Sequence, residues 1–155
     1  MIKKYFLLNA LFVLSVTSYA EPLDPVKLLS SYVGIDTVNP PGNESRAVDF
    51  YAKIFEEEGI EFSSAESAPG RGNIWARIKG GDLPALVLLQ HTDVVPATKK
   101  YWDTDPFVAE IKDGYLYGRG VIDMKGAGIS QLVSFIRLHR SGLSLNRDVV
   151  FVATA

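Results

Sequence analysis

In the segment Gln90-His91-Thr92-Asp93-Val94-Val95-Pro96 an imidazole and a carboxylate stand two residues apart, directly after the apolar run Ala85–Leu89. In open α/β sheets ligands gather at the carboxyl ends of strands, and His91 falls at such an end. A carboxylate at Asp93 can accept a hydrogen bond from one ring nitrogen and leave the other free for a metal ion. The same spacing also describes a polar turn that closes a strand. A second segment, Tyr117-Gly118-Arg119-Gly120-Val121-Ile122-Asp123-Met124-Lys125-Gly126, carries Asp123 just ahead of a long stretch of helical periodicity. Its glycines permit close backbone approach. Asp123 stands where a helix N-cap is expected, the common use of aspartate before a helix.

Other chemistries find less support. The chain has no cysteine, which excludes disulfides, thiolate metal sites, a cysteine nucleophile and a lipid-modified cysteine. Gly118-Arg119-Gly120 begins a dinucleotide-binding fingerprint, but Asp123 occupies the place of its third glycine and the preceding strand belongs to a hairpin. Gly128-Ile129-Ser130-Gln131-Leu132 starts like a serine-nucleophile elbow and fails at its last position. His139, the other of the two histidines, lies near a helix end, where the dipole favours a surface cation. Sixteen Lys and Arg against 18 Asp and Glu give a net charge of −2, which argues against a nucleic-acid partner. With 47% hydrophobic and 22% charged residues the chain reads as globular.

The elements that must position these residues follow from periodicity. Asp24-Pro25 starts a helix, with Val26, Leu28, Leu29, Tyr32 and Val33 as its stripe. Asn39-Pro40-Pro41-Gly42 breaks the chain. A second helix is predicted from about Glu44 to Glu58, with Ala47, Tyr51, Ile54 and Phe55 inward and Gly59 as its stop. Asn73–Lys79 alternates as a half-buried strand. Ala85–Leu89 and Asp148–Ala155 are apolar enough to be strands covered on both faces. Val108–Lys112 and Tyr115–Tyr117 flank the hairpin signal Asp113-Gly114. Met124–Ser141 reads as a long helix ended by Gly142. Together these predict an α/β fold with a mostly parallel sheet flanked by helices.

Residues 1–20 have the pattern of an export signal. Lys3 and Lys4 precede the apolar stretch Tyr5–Val16, and Ser18-Tyr19-Ala20 supplies the small residues of a cleavage site. The apolar stretch is shorter than the roughly 20 residues a membrane span needs. The expectation is a signal peptide over 1–20, a domain over 21–155, a periplasmic or secreted product, and no stable membrane anchor after cleavage.

His91, Asp93 and Asp123 with their flanking residues resemble the first half of the M20 family of zinc-dependent exopeptidases and amidohydrolases. The family includes carboxypeptidases, aminoacylases, acetylornithine deacetylases and succinyl-diaminopimelate desuccinylases. The resemblance runs from Leu23 to Ala155 and includes Asp36-Thr37-Val38-Asn39-Pro40-Pro41-Gly42, Leu88–Pro96, Trp102 with Asp105-Pro106-Phe107, and Leu116–Gly126. Gln90 stands where many members carry a small residue. The resemblance implies that His91 ligates one zinc, that Asp123 bridges two zinc ions, and that Asp93 serves catalysis by orienting His91. It also implies a cis peptide at Asp123-Met124, a substrate that is a peptide or an N-acyl amino acid, and metal-assisted hydrolysis of its amide bond.

By the same resemblance an acidic pair should follow a strand like Val149–Ala155, its first Glu acting as general base and its second as ligand. That pair, a later acidic ligand, a distal histidine and the family's dimerisation domain are absent from these 155 residues. The expectation is therefore the N-terminal part of a zinc-exopeptidase catalytic domain, with an incomplete metal site and little activity alone. The competing expectation is a noncatalytic exported α/β remnant that binds metal weakly or not at all.

Overall fold

The computed structural model describes residues 22–155, so the expected signal peptide lies outside the described residues. Three helices and six strands follow in the order α1 (Pro25–Val33), α2 (Ser45–Glu57), β1 (Phe62–Glu66), β2 (Gly72–Ile78), β3 (Leu83–His91), β4 (Glu110–Lys112), β5 (Tyr115–Tyr117), α3 (Gly126–Ser141) and β6 (Arg147–Thr154). Asp24 caps α1 as expected, its Oδ1 accepting from the backbone N–H groups of Val26 and Lys27 at 3.0 and 3.1 Å. Gly142, in the left-handed region at φ +60°, ends α3. Asp113 and Gly114, both at positive φ, make the β4–β5 turn.

The sheet departs from the mostly parallel arrangement expected. Its order is β1-β2-β6-β3, with β1–β2 and β2–β6 antiparallel and only β3–β6 parallel. The reason lies in the connections. A short turn folds β1 back on β2, which forces that pair to be antiparallel. β6 then enters between β2 and β3, so the sole parallel pair is the one whose connection contains α3.

All three helices sit over one face. α2 packs on β1 and β2, α3 on β3 and β6, and α1 beside α3. Side chains alternate across a strand, so Ile74 and Ala76 of β2 share this face with Val149, Phe151 and Ala153 of β6, and all are buried. Phe151 is the hub, with ring contacts to Tyr51 and Phe55 of α2 and Phe135 of α3 at 5.3–5.8 Å between centroids.

The opposite face carries Trp75, Val87, Leu89, Val150 and Val152, brought into adjacent rows by the register. Val87 and Leu89 are 52% and 57% exposed, so β3 is not covered on both faces as its composition suggested. β3 pairs with β6 alone among the described strands, which leaves its other edge without a described partner. Among the described residues no helix is long and apolar enough to cross a membrane.

This asymmetry is measurable. Phe151→Ala should destabilise the chain by about 3–5 kcal/mol, since it empties the centre of the core. Val87→Thr, on the uncovered face, should cost under about 1 kcal/mol and lower the binding of a hydrophobic dye. Urea denaturation and dye fluorescence of the two variants check this. Equal destabilisation by both would contradict the uncovered face.

Candidate metal centre

His91 ends β3 in register with Thr154 at the end of β6. The ladder continues past both strand ends. Thr92 donates to the Thr154 carbonyl from its backbone N–H at 2.8 Å and from its hydroxyl at 3.0 Å. Beyond it the chain is gripped from the other side by residues 37–39. The buried Thr37 hydroxyl donates to the Thr92 carbonyl at 2.7 Å, Val94 N–H to the Thr37 carbonyl at 3.0 Å, and Asn39 N–H to the Val94 carbonyl at 2.9 Å. Residues 91–94 are thus fixed from two directions although they lie largely outside regular structure.

The second segment is an irregular turn over Val121–Lys125 that leads into α3, and its Asp123–Met124 peptide is cis, as the resemblance implied. Gly120, at φ +84°, adopts a backbone conformation that side chains strain to reach. The turn is anchored by Lys125, which is buried. Its ammonium donates to the carbonyls of Tyr32 and Ile35 at 2.9 and 2.7 Å and lies 4.7 Å from the Tyr32 ring centroid. Those carbonyls lie at the end of α1 and just beyond it, and that of Tyr32 also accepts from the Ile35 backbone N–H at 3.1 Å. Burial drives the Lys125 ammonium down to about 8 despite the opposing pull of Asp36. On the other flank the Arg119 guanidinium lies over the Trp102 ring at 5.2 Å, and Arg119 N–H donates to the Pro106 carbonyl.

The two segments meet at His91. Its Nδ1 lies 2.9 Å from Asp93 Oδ1 and its Nε2 lies 3.0 Å from Asp123 Oδ1. All three expected residues therefore come together. Asp123 is not the N-cap of α3, which has no side-chain cap. His139 lies in the last turn of α3, away from this cluster. Sequence reasoning missed Lys125 and Asn39. The Asn39 amide donates to Asp93 Oδ2 at 3.3 Å.

The donor atoms suit a metal ion in part. Two ligands of a tetrahedral zinc, with bonds of about 2.0–2.1 Å, stand roughly 3.3 Å apart, close to the Nε2–Oδ1 separation. The Asp123 side chain is 85% exposed and free to withdraw far enough to admit an ion. Among the described residues no group of three or more His, Cys, Asp or Glu forms a metal cluster.

Burial alone would lower the His91 pKa, but hydrogen bonds to Asp123 and Asp93, with their charges, outweigh it and hold the imidazole above its ordinary value of 6.5. A raised folded value means that the cluster supports stability fully below the unfolded pKa and loses that support as pH rises through the folded one. In an NMR titration His91 should show its midpoint above 6.5, and Asp123→Asn should move it down. A midpoint that ignores Asp123→Asn would break the proposed contact.

Residues 87–155, which hold all three site residues, match Peptidase family M20/M25/M40. The chain is 38% identical over 132 residues to a succinyl-diaminopimelate desuccinylase of Parvibaculum lavamentivorans, covering 81% of this chain and 32% of the relative. It is 30% identical over 134 residues to a protein of that name from Wolbachia pipientis, covering 86% and 33%. Among solved structures, human carnosine dipeptidase 1 superposes with a TM-score of 0.59 at 27% identity, over 84% of this chain and 31% of that one. An M20 family metallo-carboxypeptidase of Sulfolobus solfataricus shares the fold, with a TM-score of 0.71 at 20% identity over 86% of this chain and 31% of that one. The chain spans about a third of the length of the curated relatives it matches. The chain thus matches the M20 peptidase family, of whose full enzymes it covers only a part.

Proposed function

We propose that these residues form the first half of the active site of a zinc-dependent amide hydrolase acting on peptides or N-acyl amino acids. The observation that carries the reading is His91, held between Asp93 and Asp123 at the carboxyl end of β3, with Nε2 turned toward Asp123. His91 and Asp123 are the metal ligands. Asp93 acts through His91: by accepting from Nδ1–H it leaves the Nε2 lone pair for the ion. Zinc, when bound, supplies Lewis acidity that polarises a carbonyl and acidifies water. The desuccinylase relatives favour an N-acyl amino acid as substrate.

Two ligands hold zinc weakly, since such sites take three or four protein groups. Hydrolysis at full rate is therefore a property we assign to a longer enzyme, to which these residues bring the histidine, the bridging aspartate and the orienting aspartate. We also propose export, on the pattern of residues 1–20.

Zinc added to the 155-residue chain should shift the His91 ring resonances, and His91→Ala should abolish binding. Turnover of dipeptides and N-acyl amino acids should stay at least about 10²–10⁴-fold below that of a full-length family enzyme, because no general base is supplied by the described cluster. Comparable turnover that disappears in His91→Ala would overturn the half-site reading. N-terminal sequencing of the exported product should begin at Glu21; a mature protein that retains Met1–Ala20 would refute processing.

A further inference from the structure

Asp93 has two carboxylate oxygens, and the site uses only one of them for His91. Oδ1 accepts from His91 Nδ1, while Oδ2 accepts from the Asn39 side-chain amide. The sequence separation of 54 residues hides this pairing. The loop that carries Asn39 is locked at several points. Asn39 N–H donates to the Val94 carbonyl and Gly42 N–H to the Val38 carbonyl, both at 2.9 Å. Further on, the fully buried Glu44 pairs with Arg71 at 3.3 Å. The amide is therefore delivered to Asp93 by a rigid segment and not by a mobile side chain on an exposed turn.

A carboxylate held at one oxygen can rotate about its last torsion. Held at both, it keeps a fixed plane. His91 faces two carboxylates that compete for its ring proton when the ring is neutral. If Asp93 is free to turn, Nδ1–H keeps only the Asp93 backbone carbonyl, at 3.2 Å, as a neutral acceptor, so the population with the proton on Nε2 beside Asp123 grows, and in it the nitrogen needed by a metal is blocked. A fixed Asp93 keeps the proton on Nδ1. Only a donor at position 39 does this; an acceptor there would repel Oδ2.

We propose that Asn39 is a positioning residue that fixes Asp93, and through it the Nδ1–H tautomer of His91; this deepens the metal-site reading above and rests on it.

The test uses the 155-residue chain and three variants: Asn39→Ala, Asp93→Asn and the double variant. Asn39→Ser serves as a second probe should the alanine variant fail to fold, because its hydroxyl is too short to reach Oδ2. The primary readout needs no metal. Nitrogen-15 shifts of the His91 ring, at one alkaline pH where the ring is neutral, report which nitrogen carries the proton. In the wild type Nδ1 should be the protonated one. Asn39→Ala should raise the Nε2–H population and lower zinc affinity by about tenfold, with circular dichroism unchanged. In the Asp93→Asn background the substitution at 39 should add nothing. Unchanged ring shifts in Asn39→Ala, or effects that add to those of Asp93→Asn, would overturn the proposal. A wild-type ring that ignores zinc would overturn the metal reading alone, since the tautomer is measured without metal.

Discussion

The parallel ladder between β3 and β6 is the constraint on which the site depends. It sets His91 opposite Thr154, and the two hydrogen bonds from Thr92 to Thr154 carry the pairing one residue past the strands. That extra residue turns the backbone so that 92–94 can be gripped by 37–39. A parallel pair also demands a long connection, and the connection holds both the hairpin and the turn that brings Asp123 to His91. Slipping the register by one residue would turn His91 onto the helix-covered face and Leu88 and Gln90 onto the uncovered one.

Two buried charges then hold the irregular segments. Lys125 ties the turn over 121–125 to the end of α1, and Glu44 with Arg71 ties the loop after Gly42 to the β1–β2 hairpin. Neither segment has ladder bonds of its own, and each substitutes charge-assisted contacts for them. Removing Arg71 leaves the buried Glu44 without its counter-charge, and removing Lys125 takes a donor from the Tyr32 and Ile35 carbonyls, so both anchors bear on the site at a distance. The aromatic cluster around Phe151 does the complementary work of pressing α2 and α3 onto the sheet.

The helices were legible in the sequence because their signals are local: Asp24-Pro25 at one start, the Ala47–Tyr51–Ile54–Phe55 stripe, Gly142 at an end. β1 was not, since Phe62-Ser63-Ser64-Ala65-Glu66 is polar and is held by ladder bonds to β2, which composition does not report. The apolar run in β3 was read as two-sided burial, a reading that holds for a central parallel strand. Here the strand lies at the edge of the described sheet, with one face uncovered. His91, Asp93 and Asp123 were visible through residue type and spacing. Asn39 and Lys125 lie inside segments that carry the family resemblance, but their types and spacing give neither a role. Both act on partners dozens of residues away, and no local pattern records that.

Gln90 and Gly128 cannot vary independently. Gln90, next to His91 on β3, is buried, and its Oε1 accepts from the Tyr51 hydroxyl at 3.1 Å. A Cβ at position 128 would fall 1.6 Å from that same oxygen. An alanine at 128 therefore requires the end of the Gln90 side chain to swing aside and leave the Tyr51 hydroxyl, whereas a small residue at 90 would leave the space open. The cost of a side chain at 128 thus depends on the residue at 90, and a helix position and a strand position form one packing unit.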